Sequence, residues 1–104
     1  MWFGVSLLYR AVHRKPEGLD PLWEESIVLL QADSAADAEQ AAARIGRESE
    51  VEYAVADGDV LRWTFDSVLD VYEITEPNPG TGVEVFSRFL KQSEVESLRT
   101  RFER

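Results

Sequence analysis

From Val60 to Ile74 the chain alternates apolar and polar residues almost without a break. Leu61, Trp63, Phe65, Leu69 and Val71 share one parity, and Arg62, Thr64, Asp66 and Asp70 share the other. Successive side chains of a strand point to opposite faces. A period of two, rich in β-branched and aromatic residues, therefore predicts one long half-buried strand. This makes the chain a sheet protein, with much of its sequence spent on a core.

The other elements follow from the same periodicities. Trp2 to about Val12 reads as a first strand, with Phe3, Val5, Leu7, Tyr9 and Ala11 on its apolar face. Arg14 to Pro21 is rich in turn residues, so a second strand, Leu22 to Ala32, is expected to pair back as an antiparallel hairpin. The end of that strand (Ile27, Val28, Leu29, Leu30) is apolar on both faces, which predicts an interior position in the sheet. The period then becomes helical. Ser34 is a suitable N-cap, and Ala38, Ala41, Ala42 and Ile45 form an almost all-alanine stripe that allows close packing on a sheet. Gly46 is either the C-terminal cap or an interior residue of a helix that runs on to about Ser49. A short strand over Glu52 to Ala56 joins the long one through Asp57-Gly58-Asp59. Val83 to Leu90 reads as a fifth strand. Ser93-Glu94-Val95-Glu96 opens a last helix, with Val95, Leu98 and Phe102 on one stripe.

The expected order is ββαβββα, in a single α+β domain spanning residues 1–104 with residues 93–104 as its C-terminal helix. The sheet is expected to be mostly antiparallel, of about five strands, with the helices packed on it. Trp2, Val28, Leu30, Val68, Tyr72, Ile74, Phe86 and Leu90 are expected on a second face. An apolar second face needs cover, from the last helix or from another copy of the chain, so a homodimer is expected.

Charge narrows the partners. The net charge is −9, and residues 16–60 hold twelve acids against Arg44 and Arg47. Phosphate contacts need lysine and arginine, so nucleic acid and anionic membrane are not expected partners; the acidic charge either favours a basic protein partner or serves solubility alone. There is no cysteine, hence no disulfide or thiolate metal site. No basic leader with a cleavage site and no spanning apolar run appears in the sequence, so a cytoplasmic location is expected.

The chain resembles a set of short bacterial proteins, the domain of unknown function 4288 family. The resemblance is carried by Trp2-Phe3 with Val5 and Leu7-Leu8, then Trp23-Glu24-Glu25, Ala38 to Gly46, Trp63 with Phe65, Val71-Tyr72-Glu73 and Ser87-Arg88-Phe89. It covers Trp2 to about Leu90, leaving out the helix from Ser93 onward. It implies one compact domain and supplies no catalytic residue.

The residues offer few chemical constellations. His13 is the single histidine, and no nucleophile or orienting acid stands at diagnostic spacing from it. Asp66 and Asp70 share a strand parity but lie about 13 Å apart by strand rise, too far to share a proton. Glu24 and Glu25 point to opposite faces of a strand. Glu25 shares the parity of Trp23, Ile27 and Leu29, and an inward carboxylate requires a partner. Arg62 and Arg88 lie in otherwise apolar strands, so Glu25, Arg62, Glu84 and Arg88 are expected to gather in a polar cluster on one sheet face. That cluster serves either as a structural ion-pair ladder or as a site for an anionic or zwitterionic group. Trp2 and Trp23 are candidate contacts for a ligand or partner, whereas Trp63 reads as core. No metal site and no cofactor are expected. The expected function is a non-enzymatic binding or protein-interaction module. One version is an acidic inhibitor or immunity-type protein acting on a basic partner, with Glu48, Glu50, Glu52, Asp57 and Asp59 on the exposed surface. The alternative is a small-ligand-binding or sensor domain that uses the polar cluster.

Overall fold

A computed structural model describes residues 1–14, 22–55 and 58–100. Its elements run β1 (Trp2–His13), β2 (Trp23–Gln31), α1 (Ala35–Glu48), β3 (Val51–Ala54), β4 (Val60–Ile74) and α2 (Gln92–Thr100). The class is α+β, and the four strands form one antiparallel sheet in the order β2-β1-β4-β3. The order along the chain is therefore ββαββα. The expected turn over residues 15–21, Ala56 and Asp57, and the expected helix end over residues 101–104 with Phe102, lie outside the described residues.

β1 is central and explains its own composition. Phe3, Val5, Leu7, Tyr9 and Ala11 are buried on the face covered by α1, and Gly4 and Ser6 are buried on the other. The cover on that second face is the segment expected to be the fifth strand. Val83–Leu90 is not a strand; it crosses the sheet as a strap. A Cβ on Gly4 would collide with the Val85 carbonyl oxygen, so the missing side chain is what admits the strap at this point. Phe86 of the strap packs on Tyr72, with ring centroids 6.2 Å apart. Proline and glycine upstream of the strap (Pro77, Pro79, Gly80, Gly82) turn the chain out of the sheet plane after β4, and Gly82 takes a positive φ of 83°.

α1 lies close on the first face. The Ser34 hydroxyl caps it by accepting from the Asp37 amide at 3.1 Å. Its buried residues are Ala38, Ala42 and Gly46. Gly46 is an interior residue rather than the cap: it rests on the Phe65 ring, where any Cβ would intrude, and Ser49 caps the helix. By contrast, α2 buries no residue, so the expectation of two helices packed on the sheet holds for α1 alone.

Three placements differ from the sequence reading. β2 is an edge strand, not an interior one. Val28 and Leu30 belong to the α1 face, opposite Val5 and Phe3, and the second face of β2 carries Trp23, Ile27 and Leu29 instead. In β4, two register shifts against β1 leave Leu69 and Asp66 without partners. Each extra residue reverses the parity, so Val68 takes the place opposite Leu7 while Leu69 stays half-exposed. The second shift restores the phase, which is why Phe65 and Trp63 still face α1.

Candidate functional site

The polar node on the second face is built on Glu25. Residues of β1 and β2 that stand opposite each other share a face, and Leu8 opposes Glu25. One diagonal step along β1 brings the Ser6 hydroxyl within reach, and it donates to Glu25 Oε2 at 2.6 Å. Arg88 Nη1, coming from the strap, donates to the same oxygen at 2.7 Å. Ser6 is fully buried, so its hydroxyl needs this acceptor. Trp23 borders a cleft of about 340 Å³ shared with Glu25, Arg88 and Leu98 of α2. Arg10 lies over the Trp23 ring at 5.5 Å.

Half of the expected cluster is therefore present. Glu25 and Arg88 meet, but Arg62 and Glu84 do not join them. Arg62 lies on the same face, opposite Val12, whereas Glu25 lies opposite Leu8. Four residues of β1 separate them, about 13 Å by strand rise. Arg62 instead pairs with Glu50 at 3.4 Å. Glu84 is exposed and has no ion pair among the described residues. Trp2 is half-buried far from the node, beside Ile74 and Pro77.

His13 is the last residue of β1. Its Nδ1 is 2.9 Å from Asp59 Oδ2, and Asp59 Oδ1 accepts from the Val60 amide at 2.8 Å. Glu50 is likewise engaged, accepting from the Phe65 amide at 2.8 Å. Two acids expected on an open acidic surface are thus tied into the fold, while Glu48 and Glu52 remain exposed. Among the described residues no group of acids and histidine could hold a metal ion, and no helix is long and apolar enough to cross a membrane.

A family model described as a domain of unknown function (DUF4288) matches residues 2–87. The chain belongs to this family. The DUF4288 span takes in all four strands, α1, Gly4, Ser6, Glu25 and the first part of the strap. It stops one residue short of Arg88 and leaves α2 outside. No curated protein and no solved structure matches the chain.

A second cleft, which sequence reasoning missed, also lies within the DUF4288 span. Tyr9, Glu24, Tyr53 and Trp63 line it on the α1 face, beyond the end of the helix. The available signal was the parity of Glu24: it is that of Val28 and Leu30, which puts an acid on the core side of the sheet.

Proposed function

We propose that this protein is a non-enzymatic protein-interaction module that works as a homodimer joined along β2. The observation that carries this reading is a mismatch between the sequence of β2 and its place. Ile27-Val28-Leu29-Leu30 is patterned as an interior strand, yet β2 is an edge, with Ile27 47% and Leu29 49% exposed. Its first half carries Glu24 and Glu25, but from Ser26 to Gln31 no charge blunts the edge. There is no proline or lysine, and its pairing with β1 is unbroken. A second copy would make the strand interior.

Antiparallel pairing of two β2 strands about Ile27 sets Glu25 against Leu29 and Glu24 against Leu30 of the other copy, so no glutamate opposes another. Such pairing satisfies the outward backbone groups and covers part of two side chains per copy. Covering the exposed half of each contributes on the order of 1 kcal/mol. The net charge of −9 points to a basic protein as the partner of the dimer, in the manner of an acidic inhibitor or immunity-type protein. Exposed Glu48 and Glu52 support this, and Glu50 and Asp59 contribute less because they are held internally.

Light scattering coupled to size exclusion tests the pairing. The expected result is a dimer for the natural chain and a folded monomer for Ile27→Lys, since lysine on an edge strand blocks pairing without disturbing a core. A natural chain that stays monomeric at tens of micromolar overturns the proposal, as does an Ile27→Lys variant that stays dimeric.

A further inference from the structure

The α1 face of the sheet extends past the C-terminal end of the helix, and three aromatic residues line the space left there. Tyr9 of β1, Tyr53 of β3 and Trp63 of β4 border a cleft of about 350 Å³. Glu24, directly opposite Tyr9 in the β1–β2 register, supplies a carboxylate, and Ser26 and Ser49 supply hydroxyls. The rings are positioned by their own contacts. Trp63 Nε1 donates to the Tyr53 hydroxyl at 3.1 Å, and Tyr9 stands edge-on to Phe65 with ring centroids 5.9 Å apart.

The one charged side chain lining this cleft is Glu24, which with Trp63 also borders the neighbouring cleft that Arg88 lines. Aromatic faces are negative, and they attract cations. Among the described residues Glu24 has neither an ion pair nor a hydrogen bond, and no lysine or arginine lines the cleft. Ser49, the C-cap of α1, forms part of the wall, so the negative end of the helix dipole adds to the same potential. A compact inorganic cation needs several oxygen ligands at short range, and one carboxylate does not supply them. A cation whose charge is spread over alkyl groups needs aromatic walls and a single counter-charge, which is what the cleft presents.

We infer that the cleft of Tyr9, Glu24, Tyr53 and Trp63 binds a small alkylated ammonium cation. The aromatic rings hold its alkyl groups by cation–π contact, and the Glu24 carboxylate balances its charge. This goes beyond the pairing proposal and stands without it, because the cleft is built within one copy; in the paired register Glu24 would in addition stand opposite Leu30 of the second copy.

Isothermal titration with choline tests the site, beside a neutral isostere in which carbon replaces the nitrogen. The expected result is saturable binding of choline and at least about tenfold weaker binding of the isostere. Glu24→Gln is expected to weaken choline by about tenfold while keeping the circular dichroism spectrum of the natural chain, since Glu24 is exposed and supports no other contact. Absence of saturable binding up to about 10 mM choline overturns the inference. So does an isostere that binds as tightly as choline, or an unchanged affinity in Glu24→Gln.

Discussion

Arg88 and Glu25 join the strap to the sheet at one carboxylate oxygen, and that oxygen also receives the buried Ser6 hydroxyl. The two donors are not equivalent. The Arg88 side chain is 40% exposed and keeps water when the contact breaks, whereas Ser6 has no exposure at all. Loss of Arg88 therefore removes a partly solvated ion pair, and loss of Glu25 strands a buried hydroxyl.

This asymmetry orders two variants. Arg88→Ala is expected to cost up to about 1 kcal/mol, as partly exposed ion pairs do. Glu25→Ala is expected to cost more, about 1–3 kcal/mol, because the Ser6 hydroxyl loses its acceptor. Urea unfolding of both variants checks the order. Equal losses would show that the ion pair, rather than the buried hydroxyl, dominates the node.

The seat of the strap predicts an unusual response at Gly4. Alanine in place of a strand glycine ordinarily stabilises, since glycine loses more backbone freedom on folding. At Gly4 the added methyl meets the Val85 carbonyl, so the sign reverses. Gly4→Ala is expected to destabilise by about 1–3 kcal/mol through overpacking. Gly80→Ala is the control. Nothing lies near its Cβ position and its φ is not positive, so it is expected to be neutral or to stabilise by up to about 1 kcal/mol. A Gly4→Ala variant as stable as the natural chain would mean that the strap does not rest there.

How far the sequence carried depends on which interactions are local. The alternation in Val60–Ile74 located β4, because period-2 burial is written into consecutive residues. The two register shifts left no such trace: together they restore the phase, so only the middle is misread, and Leu69 exchanges roles with Val68. Val83–Leu90 shows why an apolar run is ambiguous. It covers a sheet face as a strand's side chains would, but without ladder hydrogen bonds, and the deciding residue is Gly4, far away in sequence. Glu25 and Arg88 were legible as charges on apolar backgrounds. Arg62 was legible in the same way and placed wrongly, because distance along the sheet depends on strand register, which parity does not give. The cleft of Tyr9, Glu24, Tyr53 and Trp63 draws on all four strands, and only the sheet order β2-β1-β4-β3 brings them together.

Glu50 predicts the last contrast. β3 begins at Val51, opposite Trp63, so beyond that point β4 keeps β1 on one side but loses its backbone partner on the β3 side. The Glu50 carboxylate takes over: Oε2 accepts the Phe65 amide at 2.8 Å while Oε1 meets Arg62 at 3.4 Å. The side chain thus continues the ladder for one more hydrogen bond, next to the register shift at which Asp66 is left unpaired. Glu50→Ala is expected to cost about 1–2 kcal/mol through the orphaned amide. Exchange of the Phe65 amide proton is expected to rise by about tenfold or more if the local opening cost falls by the same amount. Glu50→Gln keeps a carbonyl acceptor and should lose less. Arg62→Ala removes only a long, exposed pair and should cost less than about 0.5 kcal/mol. Amide exchange at Phe65, measured by NMR in the three variants, distinguishes a backbone cap from an ion pair. If Arg62→Ala raised that exchange as much as Glu50→Ala, the arginine would be holding the carboxylate in place, and the cap would depend on the pair.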